Sequence, residues 1–381
     1  MRKMKLIALK DVCKINMGQS PNSSNYNDYG DGMPFFQGNA DFGERYPITR
    51  VWCNTPTKIA QAEDILISVR APIGALNYAK EECCIGRGLA AITPDRNKVS
   101  QDFIYWALKG KKAELNDKGN GSTFKAISRK ILEQTMIPDI NFEQQHKCAE
   151  NLEKIYGIIQ NRRKELLALD DLIKARFVEM FGDPVSNPKG WDMVELGELT
   201  GIGSSKRIFE KEYVSEGIPF YRTKEIVELS KGNSISTELY ITEERFAEIK
   251  EQYGVPKAGD LLISAVGTIG IIWIVDGKND FYFKDGNLIR VDSSDKFDSV
   301  YMKNLLENLI VEYKKQMSSG TAYAALTISG LTKMKVYDVP MELQNQFADF
   351  VRQVDKSKVA VQKALDETQT LFDSLMQEYF G

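Results

Sequence analysis

Residues 142–181 are FEQQHKCAENLEKIYGIIQNRRKELLALDDLIKARFVEMF, a run without proline. Apolar residues recur in it at steps of three or four, or of seven where Arg162 or Arg176 takes the intervening position. Such spacing over four heptads is typical of a coiled-coil helix. The apolar positions, called the seam, are Leu152, Ile155, Ile159, Leu166, Leu169, Ile173 and Met180. At about 1.5 Å per residue the predicted helix is roughly 60 Å long, enough to separate two domains.

The same seam recurs 199 residues later and closes the sequence. Phe181-Gly182 at the end of the first run corresponds to Phe380-Gly381, and Lys358 and Thr368 are polar interruptions of the second. The apolar positions of the second seam are Val351, Val354, Val361, Leu365, Phe372, Leu375 and Tyr379. The shared frame and the shared ending predict two matched long helices rather than two unrelated amphipathic ones.

Segments outside the helices also occur twice, so the whole chain is predicted to be an internal duplication. The matched pairs are DILISVRAPIG (64–74) with DLLISAVGTIG (260–270), and GMPFFQ (32–37) with GIPFYR (217–222). The offset grows from 185 to 196 residues between these pairs, which indicates an insertion of about eleven residues between positions 222 and 260. Within that interval ITEERFAEIKEQY (241–253) predicts an additional helix.

Each half combines β-type runs with helices in no regular alternation, which predicts an α+β fold. The runs ILIS and LLIS are continuously apolar and bounded by turn residues, as in buried strands, and helices are expected at 102–115 and 299–317. Pro184 and Pro188 end the first long helix. The predicted segments are a first globular domain (1–141), a central spacer helix (142–183), a second globular domain (184–340) and a C-terminal spacer helix (341–381).

The composition is that of a soluble protein of two or three domains. No window approaches the 18 apolar residues of a membrane span, and MRKMKLIALK at the N-terminus is not followed by a signal-peptide core. The five cysteines are odd in number and irregularly spaced, which favours reduced thiols and a cytoplasmic location.

The distribution of charge is more informative than the net charge of −3. Residues 1–140 contain 20 Lys and Arg against 15 Asp and Glu, whereas the remainder of the chain is acidic. A polyanionic partner is therefore plausible for the first half, although charge alone does not establish one.

The sequence contains no recognisable catalytic constellation. His146 is the single histidine, and no phosphate loop, nucleophile elbow or metal-ligand spacing is present. Asp64 and Asp260 precede the two repeated strands, but their equivalence in both copies favours a role in turns over nuclease chemistry. We therefore predict no catalytic residue and no metal on this chain.

The loops instead carry residues suited to base and phosphate recognition. Glutamine and asparagine amides can form two hydrogen bonds with adenine, and arginine can form two with guanine, while other cations contact phosphates. Each candidate lies at a strand end or in a Gly-rich loop. The predicted DNA-binding residues are Gln37, Asn39, Arg50, Arg70, Arg87, Lys125 and Arg129 in the first half and Arg222, Lys224 and Tyr323 in the second.

These features together resemble the specificity subunit of type I restriction–modification enzymes, and the resemblance covers essentially the whole chain. The motifs of the first half are GQSP…YN (18–27), PFFQGNADFG (34–43), DILISVRAPIG (64–74), CCIGRGLAAI (83–92), GSTFKAIS (121–128), IPDINFEQQ (137–145) and FVEMFGDP (177–184). Those of the second half are IPFYRTKEI (218–226), DLLISAVGTIG (260–270), GTAYAALTIS (320–329) and LQNQF (343–347).

The resemblance implies an α+β target-recognition domain in each half and two long helices that pair antiparallel as a spacer. It also implies a subunit that binds double-stranded DNA and carries no catalysis or cofactor of its own. Two methyltransferase subunits with S-adenosylmethionine, and restriction subunits that use ATP and magnesium, would dock on it. Val266 stands where the first half has Arg70, so the two halves are expected to recognise different bases.

Three alternatives remain open from the sequence. The first is a specificity subunit of a related system whose partner chain combines methylation and cleavage. The second is a self-sufficient metal-dependent nuclease, which would require metal-binding carboxylates. The third is a DNA-independent scaffold held together by its coiled coils.

Overall fold

The computed structural model describes residues 5–119, 125–318 and 325–381. The chain divides into two compact units: unit 1 comprises Met1–Lys164 and Gln362–Gly381, and unit 2 comprises Glu165–Val361. The division passes through both long helices, so each unit contains part of each helix. The boundaries predicted from the sequence instead set the helices apart from the globular segments.

Unit 1 contains short strands and helices together with one part of each long helix, residues 142–164 of the first and 362–380 of the second. Its strands are β1 (Leu6–Ala8), β2 (Cys13–Met17), β3 (Tyr26–Asn27), β4 (Met33–Phe36), β5 (Trp52–Cys53), β6 (Ile59–Ala60), β7 (Ile65–Ser68), β8 (Leu76–Tyr78), β9 (Cys83–Ile85), β10 (Leu89–Pro94) and β11 (Met136–Pro138). Its helices are α1 (Leu9–Val12), α2 (Gln101–Gly110), α3 (Lys112–Asp117), α4 (Arg129–Glu133) and the first part of α5 (Phe142–Phe181).

Two main sheets form unit 1. One has the strand order β2-β10-β7-β8 and is antiparallel, and the other has the order β3-β5-β4-β9-β6, in which β4 and β9 run parallel. All four residues of β7 are buried, as the apolar run ILIS predicted. Strand β1 pairs with β11, which brings the two ends of this globular part together before α5 begins.

Unit 2 repeats the main elements of unit 1, with additional helices and fewer strands among the described residues. Its strands are β12 (Met193–Glu195), β13 (Ile202–Gly203), β14 (Ile218–Tyr221), β15 (Tyr240–Ile241), β16 (Leu261–Ser264), β17 (Ile272–Ile274), β18 (Tyr282–Phe283), β19 (Leu288–Val291) and β20 (Lys335–Tyr337). Its helices are α6 (Leu196–Leu199), α7 (Thr223–Ser230), α8 (Glu243–Gln252), α9 (Ser299–Ser318), α10 (Ile328–Thr332) and the first part of α11 (Met341–Phe380).

The duplication predicted from the sequence is present in the sheets. The order β13-β19-β16-β17 in unit 2 repeats the order β2-β10-β7-β8 of unit 1, and β14 pairs parallel with β18 as β4 does with β9. The interval between 222 and 260 contains α7, β15 and α8, whereas the equivalent interval of unit 1 contains β5 and β6. Helix α8 lies within the 241–253 segment, so the helix predicted there is confirmed.

The two long helices have the expected limits and pair antiparallel within each unit. In unit 1 the first part of α5 packs on the last part of α11, where the Arg162 guanidinium donates hydrogen bonds to the Ala364 carbonyl and the Thr368 hydroxyl. In unit 2 the last part of α5 packs on the first part of α11, where Lys358 forms an ion pair of 2.7 Å with Asp170. The predicted α+β class with long antiparallel helices is confirmed.

The seam positions differ in their burial. The buried ones are Leu152, Ile159, Ile173, Val351, Val354, Leu365 and Phe372. The half-buried ones are Ile155, Leu166, Leu169, Met180, Val361, Leu375 and Tyr379. Three of the polar positions in the two seams, Arg162, Thr368 and Lys358, are satisfied by the hydrogen bonds and the ion pair described above, which explains why a charged side chain is tolerated there.

One predicted helix is divided in two. The sequence predicted a continuous helix over 102–115, but α2 ends at Gly110 and α3 starts at Lys112. Lys111 between them leaves helical geometry (φ −85°, ψ 5°). A Cβ at Gly110 would lie 3.0 Å from the Cβ of Phe380, so glycine allows close packing there although it weakens the helix.

All five cysteines are free and buried, as expected for reduced thiols. Burial raises the pKa of Cys13, of Cys83 and of Cys148 to about 12. Among the described residues, no helix is both long and apolar enough to span a membrane.

Candidate nucleic-acid interface

Four of the predicted DNA-binding residues line one concavity of about 210 Å³ on unit 1. We call this concavity the recognition cleft. It lies where β4, β7 and β9 end, so three segments that are distant in sequence meet there. Its lining residues are Gln37, Gly38, Asn39, Ser68, Arg70, Ala71, Arg87 and Gly88. Amide and guanidinium groups are thus brought together at one place, which the sequence could suggest only as separate loops.

The loop after β4 is held by Asp41. Its carboxylate accepts hydrogen bonds from the backbone N–H of Gln37 (2.7 Å) and of Gly38 (3.3 Å). The segment Asn39–Asp41 then forms a single 3₁₀ turn. The conformation of this loop therefore depends on a charge-assisted hydrogen bond rather than on apolar packing.

Glycines on both sides of Arg87 allow the β4 loop to approach. A Cβ on Gly88 would lie 2.4 Å from the carbonyl oxygen of Gln37, and one on Gly86 would lie 2.8 Å from its Oε1. Real Cβ atoms do not approach so closely, because the overlap is repulsive. The Gly-Arg-Gly sequence in CCIGRGLAAI is thus explained by close contact with the loop that carries Gln37.

Ser20 links two sides of the recognition cleft and was not singled out from the sequence. Its Oγ lies 3.1 Å from Nε2 and 3.2 Å from Oε1 of Gln37, and it accepts a hydrogen bond of 3.2 Å from the N–H of Arg87. Ser20 therefore orients the Gln37 amide. The signal in the sequence was the GQSP motif, but only the fold shows which residues this serine contacts.

Arg70 and Arg87 provide the positive charge of the recognition cleft. Both side chains are exposed, and neither forms an ion pair within the described ranges. The backbone of Arg70 is fixed by the Ser68 hydroxyl, which donates a hydrogen bond of 2.8 Å to its carbonyl, and by a bridge to Ala126. A rigid backbone with an uncompensated guanidinium suits contact with an anion or with a guanine edge.

The other predicted residues of unit 1 lie outside the lining of the recognition cleft. Lys125 is exposed and its carbonyl accepts a hydrogen bond of 3.2 Å from Ala71 N–H, so it borders the cleft. Arg50 donates a weak hydrogen bond of 3.5 Å to the carbonyl of Ala40. Arg129 forms an ion pair of 2.7 Å with Glu133 along α4, so its charge is partly compensated.

The equivalent region of unit 2 has different chemistry. Arg222 occupies the position of Gln37, but its Nη2 lies 3.0 Å from Oε1 of Glu225, which is only 1% exposed. This hydrogen bond and the adjacent negative charge raise the pKa of Arg222. Val266 replaces Arg70 and is exposed, and Lys224 is exposed in the first turn of α7. Tyr323 lies outside the described residues.

A second arginine of unit 2, Arg207, was missed from the sequence. Its Nε donates a hydrogen bond of 2.8 Å to Oδ2 of Asp285. Asp285 belongs to the β18–β19 turn, which corresponds to the β9–β10 turn that carries Arg87 in unit 1. In unit 2 this turn thus carries a carboxylate, and the arginine that contacts it comes from another segment. Only the register of the strands reveals that the turns of Arg87 and Asp285 correspond, because the loop sequences of the two halves do not align.

The two aspartates that precede the repeated strands hold turns, as predicted. Asp64 accepts a hydrogen bond of 2.9 Å from the N–H of Gln61. Asp260 accepts from the N–H of Lys257 (2.9 Å) and of Ser293 (2.8 Å). Both side chains are buried, and burial raises the pKa of Asp64. These contacts give both carboxylates a structural role in their turns.

The similarity to known proteins is extensive. The specificity subunit of the type I restriction enzyme MjaIX of Methanocaldococcus jannaschii is 25% identical over 408 residues, which cover 97% of this chain and 90% of that protein. A specificity subunit provisionally assigned to the type I restriction enzyme MjaX of the same species is 47% identical over 152 residues. This second match covers 40% of the chain and 36% of that relative's length.

A solved structure and a family model complete the comparison. The crystal structure of the S subunit of a type I restriction–modification system from M. genitalium covers 100% of this chain and 97% of its own, with a TM-score of 0.61 at 16% identity, so it supports the fold. The family model of the type I restriction modification DNA specificity domain matches residues 1–168 and again 188–368. With both halves matched, this chain belongs to the type I restriction–modification DNA specificity family, whose function is the recognition of DNA sequence.

Proposed function

We propose that this chain is the non-catalytic, DNA-reading subunit of a cytoplasmic type I restriction–modification complex. Unit 1 and unit 2 each recognise one half of a bipartite site in double-stranded DNA. The observation that carries this proposal is the convergence of Gln37, Asn39, Arg70 and Arg87 in the recognition cleft of unit 1. These are the side chains that hydrogen-bond base edges in the major groove: amides with adenine and guanidinium groups with guanine.

The contacts within the recognition cleft support a role in base recognition rather than a purely structural one. Asp41 fixes the backbone of the β4 loop and Ser20 orients the Gln37 amide, whereas the two guanidinium groups have no carboxylate partner within the described ranges. Preorganised donors lose less side-chain entropy when they bind. Lys125 at the border of the cleft is placed to contact a phosphate and so to position the duplex.

The differences between the two units support an asymmetric site. Arg222 replaces Gln37 and is paired with Glu225, and Val266 replaces Arg70. Because the groups that would meet the bases differ, the two half-sites differ in sequence. The duplication thus supplies the pseudo-symmetry that dimeric DNA-binding proteins obtain from two chains.

Catalysis is assigned to partner subunits. Two methyltransferase subunits bind S-adenosylmethionine and methylate adenine, and restriction subunits use ATP and magnesium. This division of labour rests on membership of the family and on the role of Asp64 and Asp260 in turns. This chain then supplies sequence recognition to enzymes that have none of their own.

Methylation mapping tests the proposal. Total DNA would be sequenced by a single-molecule method from a host that expresses this chain with a cognate methyltransferase subunit, and from a host that expresses the methyltransferase alone. We expect a bipartite methylated-adenine motif that disappears without this chain. An identical methylome in the two hosts, with an active methyltransferase, would overturn the proposal.

A further inference from the structure

The ion pair between Arg207 and Asp285 lies at the unit 2 counterpart of one side of the recognition cleft. The strand register establishes the equivalence. Asn16 of β2 faces Ala91 of β10, and Gly203 of β13 faces Arg290 at the matching position of β19. Counting four residues onward leads from Asn16 to Ser20 and from Gly203 to Arg207. Arg207 therefore occupies the place of the serine that contacts Gln37 and Arg87 in unit 1.

The segment that carries Asp285 also has an equivalent in unit 1. In unit 1 the N–H of Gly86 donates to Phe36 and the carbonyl of Gly88 accepts from Val69. In unit 2 the N–H of Lys284 donates to Tyr221 and the carbonyl of Asn287 accepts from Ala265. The turn that contains Arg87 thus corresponds to the turn that contains Asp285 and Gly286. Unit 2 has a carboxylate where unit 1 has a guanidinium group.

The geometry of the pair leaves one end of Arg207 available. Its Nε donates to Oδ2 of Asp285 at 2.8 Å, so the carboxylate holds the guanidinium by its inner nitrogen. The Arg207 side chain is 66% exposed, whereas that of Asp285 is 13% exposed. No other hydrogen bond or ion pair of Arg207 occurs within residues 5–119, 125–318 and 325–381. Both terminal amino groups are therefore free to bind a ligand.

Asp285 has the character of a positioning residue. Its Oδ1 is buried without a hydrogen-bond partner among the described residues, and Lys284 Nζ is 3.8 Å away. A carboxylate that is largely removed from water requires a nearby cation, so Arg207 is drawn to one orientation. Because the guanidinium is planar, fixing Nε also fixes the direction of the two terminal amino groups.

We propose that Arg207, positioned by Asp285, recognises a guanine in the second half-site through its two terminal amino groups. The inference rests on the proposed function and deepens it, because it names the base and the residue. Guanine presents two acceptors, O6 and N7, on its major-groove edge, and an arginine fork matches their spacing. Adenine and cytosine each present an amino group that donates a hydrogen bond on this edge. A guanidinium has no acceptor for that hydrogen bond.

The other arginine at this site is less suited to the role. The Nη2 of Arg222 is bound to Glu225, and its Nε is buried without a partner among the described residues. The fork of Arg222 is therefore not free, in contrast to that of Arg207. Val266, which replaces Arg70, can offer only apolar contact. Arg207, in contrast to Arg222 and Val266, presents two free terminal amino groups in an orientation fixed by Asp285.

The test compares Arg207→Ala, Arg207→Lys and Asp285→Asn in the full chain, expressed with the cognate methyltransferase, by methylation mapping. We expect one guanine of the second half-site to become degenerate in Arg207→Ala, with a preference for guanine reduced by ~10- to 100-fold. Arg207→Lys keeps the charge but loses the fork, so it should lose the same preference. Asp285→Asn should weaken that preference while the first half-site stays unchanged.

Lys278→Ala is the matched control, because Lys278 is an exposed cation paired with Asp276 at 3.1 Å in the same unit. It should leave the methylated motif as in the wild type. Thermal melting of all four variants would identify any that fail to fold, and Arg207→Lys preserves most of the side chain if Arg207→Ala does not fold.

Three results would overturn the inference. One is a wild-type second half-site without a G·C pair. Another is an unchanged motif in Arg207→Ala. The third is a uniform loss of affinity for all duplexes, with a shallower salt dependence, which indicates a phosphate contact instead. Each of these leaves the proposed function intact, since the wild type still produces a bipartite motif, whereas absence of any motif in the wild type overturns the proposed function itself.

Discussion

Single residues determine the shape of the recognition cleft and what it can bind. Gln37 is the clearest case, because Ser20 orients its amide and Asp41 fixes its backbone. Asn39 lies in the same loop and also lines the cleft. The Gln37 amide is thus held ready for contact with a base, and the Asn39 amide lines the same cleft from the 3₁₀ turn that follows β4.

Gln37→Ala or Asn39→Ala should change the first half-site only. Loss of a two-point amide contact removes about 1–3 kcal/mol of discrimination at one base pair. Methylation mapping of each variant would show one position becoming degenerate in the first half-site. Asn54→Ala, an exposed amide elsewhere in unit 1, serves as the control. Equal loss of binding to every sequence would contradict this prediction.

Gly88→Ala should disturb the recognition cleft by steric overlap. The added Cβ would lie 2.4 Å from the Gln37 carbonyl oxygen, so the β4 loop must move. Overpacking of this kind costs about 1–3 kcal/mol of stability. We expect a lower melting temperature and weaker recognition of the first half-site. Gly38→Ala is the control, because nothing lies within 4 Å of its added Cβ and its backbone is extended; the prediction is wrong if both variants behave alike.

The sequence predicted these residues only as separate candidates. Gln37, Asn39, Arg70 and Arg87 could be named because amides and arginines in Gly-rich loops are suited to base recognition. Ser20, Arg207 and Asp285 were missed because their roles come from contacts across 17 to 78 residues. A side chain with an ordinary local context acquires a function only when the fold supplies its partner.

The secondary-structure elements were more predictable than their contacts. The limits of α5 and α11 follow from a heptad pattern and, at the end of α5, from Pro184 and Pro188, all of which are local in sequence. The break at Lys111 was not predicted; it follows Gly110, which packs closely against Phe380 from a distant part of the sequence. Local patterns thus predicted α5, α11 and the short helix α8, whereas the division of 102–115 into α2 and α3 was visible only in the structure.

Leu365→Asp should destabilise unit 1 through the long helices. Leu365 is 9% exposed in the seam, so the new carboxylate would replace a buried apolar side chain. The expected cost is about 3 kcal/mol or more. Val359→Asp on the same helix is the control, since Val359 is 70% exposed and the change should stay within about 0.5 kcal/mol. Superimposable thermal melting curves for Leu365→Asp and the wild type would argue against a role for this seam in stability.

For the whole molecule, we predict that the globular parts of the two units determine the bases of the two half-sites. The long helices are predicted to determine the distance between these half-sites. Removing one heptad from α5 and the matching heptad from α11 keeps the seam in frame and shortens each helix by about 10 Å. We expect the spacer of the methylated motif to shorten by about three base pairs, given a rise of ~3.4 Å per base pair. Methylation mapping would reveal the new spacer, and altered bases within either half-site would refute this prediction.

The five buried cysteines give this protein a practical advantage for chemical labelling. Maleimides react with the thiolate, and burial raises the pKa of Cys13, of Cys83 and of Cys148 to about 12, so these groups stay protonated at neutral pH as well as inaccessible. Val359→Cys would therefore accept one fluorophore with the native cysteines left in place. Intact mass spectrometry should show a single adduct on the folded variant and none on the wild type; adducts on the folded wild type would disprove this. A fluorophore at this exposed position of α11 could then report DNA binding without a cysteine-free background.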